Sequence, residues 1–341
     1  MRMHRLDSFR VAAILAVICI HTRPFLALED AASLPCKALG VLIKQGSLFA
    51  VSFFLVIAGY FFGRKLAQNN DAVALGIKYS GRLLIVLFFW DLVYLLAPAL
   101  SPEGVEQGML HAVYAKALRV AGDPVTLIFQ GTKTHLWFLV SLLLAVWTLV
   151  LLIRLRAQRN GIVVLAVLLY GFGLLGGPYS ATPVGIDLHF NTRNFIFLSM
   201  LCVVIGWVLS QNEVPYRRRT AVLLAGCGFG MQLTESFFLW KFWQVSPTGH
   251  DYLLGTVFFA SGVALLALRK TEADQSTTLS RIGRLTLGVY TAHILFRDLL
   301  DPLGGYVSPL LWQVLFPVLV YAISLAAVIA LSRTRLRPVV L

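Results

Sequence analysis

Ten apolar runs of roughly membrane-crossing length follow one another along this 341-residue chain. They lie at about 9–28, 46–63, 83–100, 136–153, 161–177, 194–210, 220–240, 252–268, 285–301 and 310–331. Apolar runs of this length read as membrane-spanning helices. The sequence therefore predicts an all-α, polytopic integral membrane protein with about ten transmembrane helices. It reads as one transmembrane domain over residues 1–341 with no separate soluble domain.

Composition supports that class. Hydrophobic residues make up 58% of the chain and charged residues 13%, which no ordinary soluble domain shows. The net charge of +13 resembles that of a nucleic-acid binder, but its distribution excludes one. Twenty of the 29 Lys and Arg fall in six groups. These are Arg2, Arg5, Arg10; Arg64, Lys65, Lys78, Arg82; Arg154, Arg156, Arg159; Arg217, Arg218, Arg219; Arg269, Lys270, Arg281, Arg284; and Arg333, Arg335, Arg337. All six share one side if ten helices alternate. The positive-inside rule then places both termini in the cytoplasm. A missed helix would scramble this pattern. The N-terminus has the basic start and short apolar core of a signal peptide. Cleavage is not expected, because it would remove or divide the residue pair described next.

Arg10 and His21 lie in the first apolar run, eleven steps apart. Eleven residues make three helical turns plus roughly 20°, so both share one face, about 16 Å apart along the axis. Arg10 is expected at the membrane surface and His21 inside the slab. A titratable residue at depth usually marks a protein-lined functional cavity. Asp7 stands three residues before Arg10 and can pair with it. A held guanidinium there suits a phosphate-bearing ligand, and His21 suits acid–base work on a hydroxyl.

Further polar residues gather in the opposite half of the spans. His135 and Trp137 open the fourth, Glu235 ends the seventh, and Asp91 lies near the middle of the third. His293, Arg297 and Asp298 occupy the ninth, with His293 and Arg297 four apart on one face. Acids, histidines and aromatics converging in one leaflet suit a polyol site. Lys78 and Arg82 open the third span beside the same mouth as Arg10, and Gly59 in the second suits close helix packing. Cys19, Cys202 and Cys227 lie in spans and Cys36 in an outer loop, without metal-ligand or disulfide spacing. No metal is expected. The longest loop, Ser101 to Thr134, carries helical spacing from Glu103 to Val120 and could lie on the membrane as a lid. A second outer loop, Pro178 to Arg193, carries Asp187, His189, Asn191 and Arg193.

Five stretches resemble membrane-bound acyltransferase family 3. Leu6-Asp7-Ser8-Phe9-Arg10 followed by Val17-Ile18-Cys19-Ile20-His21 resembles the family's opening Arg-x10-His motif. Phe53-Phe54 through Gly59-Tyr60 resembles its Phe-Phe-x-x-Ser-Gly element, with Ala58 in place of the usual Ser. Lys78 to Trp90 resembles the basic entry to its third helix, and His135-Leu136-Trp137-Phe138 its His-x-Trp-Phe stretch. Leu285 to His293 resembles its late Ser-x-x-x-Tyr-x-x-His pattern.

The resemblance implies transfer of an acyl group, often acetyl, from cytoplasmic acyl-CoA to a hydroxyl of a cell-surface glycan, lipid-linked sugar or other polyol. Acyl-CoA (acetyl-CoA) is then a co-substrate, with no permanently bound cofactor. The donor is expected at Arg10, Lys78, Arg82, Arg64 and Lys65, its arm running along the first helix. His21 is expected to act as base or brief acyl carrier, oriented by Glu235. The acceptor is expected at His135, Trp137, His293, Arg297 and Asp91. The expected location is the bacterial inner membrane, in contact with lipid. The protein would work alone, as a homodimer, or with an extracytoplasmic partner transferase. The rival reading is a transporter or flippase without covalent chemistry, but no inverted repeat or matched pair of broken spans supports it. A third is a scaffold subunit of a glycan-assembly complex.

Overall fold

The computed structural model describes residues 3–26, 34–68, 71–100, 106, 108–211, 217–269 and 277–340. Among them helices and turns account for all regular structure, and no strand occurs. The helices are α1 (His4–Thr22), α2 (Leu34–Ser47), α3 (Phe49–Leu66), α4 (Ala72–Leu96), α5 (Met109–Ala121), α6 (Pro124–Gln130) and α7 (Trp137–Arg154). They continue with α8 (Arg159–Leu175), α9 (Ile196–Ser210), α10 (Arg218–Trp243), α11 (Leu254–Leu268), α12 (Thr278–Ile282), α13 (Thr286–Leu300) and α14 (Pro309–Ser332).

Five helical stretches are long and apolar enough to cross a membrane: Pro35–Leu66, Ala72–Leu96, Thr134–Arg154, Arg218–Trp243 and Pro309–Ser332. Three shorter apolar helices, α8, α9 and α11, accompany them. The runs expected near 194–210, 252–268 and 285–301 form helices of 15 residues each, short of the ~20 that cross a bilayer upright. The 3-10 turn Gly283–Leu285 runs directly into α13, whereas Thr192–Asn194 precedes α9 across an extended Phe195.

Boundaries shift where polar residues interrupt the apolar pattern. The first helix stops at Thr22 rather than running to 28. Arg23 takes the left-handed conformation that ends helices, and Pro24 follows. The second span begins earlier than expected. Helices α2 and α3 follow one another through Leu48, so Cys36 sits on a helix and not in a loop. Lys37, Lys44 and Gln45 make the stretch look like a connector. Gln45 is fully buried, however, donating to Ser236 Oγ and the Pro247 carbonyl at 3.0 and 2.6 Å. Helix α4 begins eleven residues before the expected 83, where the Asp71 carboxylate accepts from Val73 N and Ala74 N at 2.9 and 3.0 Å. The expected loop helix appears as α5, over Met109–Ala121; Glu103 lies outside the described residues. Met109, Leu110, Tyr114 and Leu118 on α5 and Val125 and Ile128 on α6 are exposed.

The interior is built around α1, α3 and α9. Ile14, Ile18, Phe53, Val56, Met200 and Val203 are fully buried. Gly59 of α3 meets the Val203 backbone and Gly206 of α9 meets the Val56 carbonyl so closely that a Cβ at either would clash. Small residues let these two helices approach, the packing role expected of Gly59. After α14 the chain turns back, and Trp90 Nε1 donates to the Val339 carbonyl at 3.1 Å.

Candidate functional site

His21 is the penultimate residue of α1, and two other histidines meet it there. His293 comes from α13, its ring centroid 5.1 Å from that of His21. His135 comes from the 3-10 turn Thr134–Leu136 before α7, with centroid 6.4 Å from His21 and 5.4 Å from His293. Three imidazoles from three distant segments thus form a triangle. His135 and His293 are buried, and His21 is half-buried.

The surroundings fix the tautomers of two rings. His135 Nε2 lies 3.3 Å from the Thr291 carbonyl and His293 Nδ1 lies 2.5 Å from the Tyr290 carbonyl. A carbonyl only accepts, so each of these nitrogens carries the proton in the neutral ring. The opposite nitrogens, His135 Nδ1 and His293 Nε2, are then bare acceptors. Both are buried and without a hydrogen-bond partner. Among the described residues the His21 ring also makes no hydrogen bond. Buried polar atoms are ordinarily paired, so this is a site with spare hydrogen-bonding capacity. Tyr290 Oη donates to the His135 carbonyl. Tyr94 packs 5.0 Å from the His135 ring while its hydroxyl donates to the Thr291 carbonyl at 2.6 Å. These two tyrosines hold the imidazole scaffold. Tyr94 was not among the expected site residues; its one mark in the sequence is a hydroxyl four residues past Trp90 in an apolar run.

Ion pairs surround the triangle. Asp298 accepts from Lys133 at 2.6 Å and from Arg297 at 2.5 Å. The Arg193 guanidinium lies over the Trp137 ring at 5.6 Å and pairs with Asp251. Trp137 and Arg297 thus border the site through charged partners.

Asp91 and Glu235 are committed elsewhere. Asp91 Oδ1 accepts from Thr132 N at 2.6 Å and Thr132 Oγ1 at 2.9 Å, fixing the turn that leads to His135. Glu235 accepts from Tyr179 Oη and from Leu254 N and Gly255 N at 2.9 and 3.1 Å. It therefore caps α11 at the dipole end that favours a carboxylate. Burial and that carboxylate push the Tyr179 hydroxyl up. Among the described residues neither acid hydrogen-bonds to any of the three rings. The expectation that Glu235 orients His21 is thereby corrected: its oxygens face the α11 N-terminus.

At the other end of α1, Arg10 Nη1 donates to Asp7 at 2.9 Å and its guanidinium lies 5.3 Å from the Phe61 ring centre. Tyr79 and Arg82 of α4 act on Arg10 electrostatically. Lys78, Arg64 and Lys65 are exposed at this end. Between Arg10 and His21 the stripe is filled. Ile14 and Ile18 are fully buried and Val17 is 1% exposed, so the groove expected along α1 is closed by packing. Among the described residues no three of His, Cys, Asp and Glu are grouped to hold a metal ion.

Comparison with known proteins adds an independent line. The model of a family described as an acyltransferase domain matches residues 3–332. Two relatives, both amino-acid racemases from Enterococcus faecalis, are similar at 25% and 24% identity. The first match covers 68% of this chain and 32% of the relative; the second covers 90% and 42%. The chain thus spans less than half the length of these relatives. No solved structure matches it.

Proposed function

From its membership of acyltransferase family 3, we infer that this membrane protein moves an acyl group, acetyl in the simplest case, from cytoplasmic acyl-CoA to a hydroxyl presented on the other face. The observation that carries this reading is the His21–His135–His293 triangle at one end of α1, with the Arg10–Arg82 cluster at the other. CoA phosphates would dock at Arg10 and Arg82, with Lys78, Arg64 and Lys65 adding to the field. The pantetheine arm would need the stripe at Ile14 and Ile18 to part. The acceptor hydroxyl would approach the triangle from the side of Trp137 and Arg297.

In this scheme the hydroxyl oxygen attacks the thioester carbonyl carbon and gives its proton to an imidazole nitrogen. The carbon–sulfur bond then breaks, and the departing CoA thiolate takes that proton. His21 is the base we assign, because its ring is the one not tied to a backbone carbonyl. His135 Nδ1 and His293 Nε2 would accept hydrogen bonds from the acceptor or from His21 itself.

The test is acetyl-CoA turnover by the full chain in lipid nanodiscs, followed by free thiol. Thiol release that rises with a polyhydroxyl acceptor supports the reading. Absence of thiol release with every acceptor, from folded protein, would overturn it. We propose ten crossings with both ends inside; reporter fusions after residues 110 and 185 should then read outside, and those after 70, 157 and 215 inside. One clean reversal breaks that topology.

A further inference from the structure

A polar cavity lies beyond the Trp137–Arg193 contact. It measures about 320 Å³, is partly open to the outside, and is lined by the loop around Gly176 to Ala181, by Phe190 to Thr192, and by Val245 to Tyr252. No residue of the histidine triangle lines it. His250 does, at 3% exposure, and its Nε2 is buried with no hydrogen-bond partner. An unpaired buried nitrogen costs stability unless a ligand satisfies it.

The wall carries no uncompensated charge. Asp251 pairs through Oδ1 with Arg193 and accepts from Asn191 Nδ2 through Oδ2 at 3.2 Å. Burial lowers the His250 pKa to about 4, against the pull of Asp251 and with the push of Lys44, so the ring is neutral near pH 7. Phe190 adds a flat apolar face that is 44% exposed. The volume sits at the low end of small-ligand pockets, roughly 300–1,000 Å³. That suits one ring rather than a lipid tail or an oligosaccharide. Among the described residues lining the cavity the only charge is the Asp251 carboxylate, already held by Arg193 and Asn191, so an anionic ligand would meet a like charge on the wall, whereas hydroxyls would find His250 Nε2 and Asn191.

We propose that this cavity binds one uncharged polyhydroxyl ring, a sugar unit, and holds the acceptor while a neighbouring hydroxyl reaches the three histidines. Its role as an acceptor subsite rests on the acyltransferase reading; the binding itself does not. One chain of contacts joins the cavity to the triangle. Asp251 borders the cavity and pairs with Arg193, which covers Trp137, two residues from His135.

The test uses the full chain in nanodiscs and saturation-transfer NMR with glucose and N-acetylglucosamine as neutral probes. Glucuronate and glucose 6-phosphate serve as charged ones. Neutral sugars should bind and charged ones should bind at least tenfold more weakly. His250→Phe should weaken neutral binding about tenfold, as expected for losing a hydrogen bond and the space around it. Phe190→Ala, at a ring that is 44% exposed and packs on Phe195, should do the same, with thermal unfolding measured alongside to confirm that the variant is folded. His21→Ala should abolish transfer and leave sugar binding unchanged. The inference fails if no neutral sugar binds, if charged sugars bind as well, or if both cavity variants bind like the parent. Sugar binding without acetyl-CoA turnover would sink the acyltransferase reading and leave the subsite standing. Turnover with unchanged acceptor KM in both variants would do the reverse.

Discussion

Replacing His21 by Ala should separate chemistry from stability. The ring is half-buried and, among the described residues, makes no hydrogen bond, so its removal orphans no partner. What is lost is packing against the rings at 5.1 and 6.4 Å. A truncation of this kind costs on the order of 1 kcal/mol of stability. The loss of a positioned proton acceptor lowers turnover by roughly 10²–10⁴, about 2.7–5.4 kcal/mol of activation free energy. Tyr290→Phe provides the contrast. It removes the donor to the buried His135 carbonyl, which should cost about 1–3 kcal/mol of stability and disturb the site as well. Thermal unfolding in detergent and single-turnover acetyl transfer, measured on the same preparations, read both quantities. If His21→Ala lost stability in proportion to activity, or kept activity within tenfold of the parent, the assignment of His21 as base would be refuted.

Arg10→Ala should weaken acyl-CoA binding by about 1.5–3 kcal/mol in calorimetry, the usual range for a charged hydrogen bond, with Lys restoring part of it. Because the same change strips the buried Asp7 of its guanidinium, the double variant with Asp7→Asn should regain stability without regaining affinity; tight binding by Arg10→Ala would end the donor assignment. Glu235→Ala should cost about 2 kcal/mol through loss of the α11 cap while turnover per folded molecule stays near parental, and a selective collapse of turnover would return Glu235 to the chemistry. His250 has its pKa depressed from 6.5 to about 4, so the unfolded chain binds more protons between those values. Its contribution is complete above pH 6.5 and is lost as pH falls towards 4. His250→Asn should flatten that part of the stability profile, and an unchanged slope would assign it to Asp251, Lys44 or other groups.

The apolar runs made the all-helical membrane architecture legible, because the bilayer allows so few alternatives. The Arg10–His21 pair was legible for a simpler reason. Both lie on one helix, where spacing alone gives geometry. Gly59 could be read as packing because small residues in spans have few other uses. His135 and His293 could be grouped in one leaflet, but their contact with each other and with His21 could not be read. His135 and His293 stand 158 positions apart, and nothing in either local pattern states that their rings meet. Asp91 and Glu235 misled for a related reason. A carboxylate in an apolar run must be satisfied, but the sequence does not say whether a substrate or a backbone amide satisfies it. Here Thr132 and the start of α11 do so.

The three rings together hold more lone pairs than protons to share. In their neutral forms they carry one N–H each. Those of His135 and His293 are spent on the Thr291 and Tyr290 carbonyls. That leaves two bare nitrogens, His135 Nδ1 and His293 Nε2, facing a His21 that still has one N–H and one bare nitrogen to place. If His21 gives its N–H to either neighbour, its remaining nitrogen is fixed as an acceptor. A backbone-anchored histidine then does for His21 what a carboxylate does in other histidine-based sites. It sets the tautomer without adding a negative charge to a low-dielectric interior, where an unpaired carboxylate would be costly. Such an arrangement has no need of Glu235. It favours ligands that bring O–H donors over ligands that bring only acceptors, which is the chemical distinction between a hydroxyl acceptor and the ester it becomes.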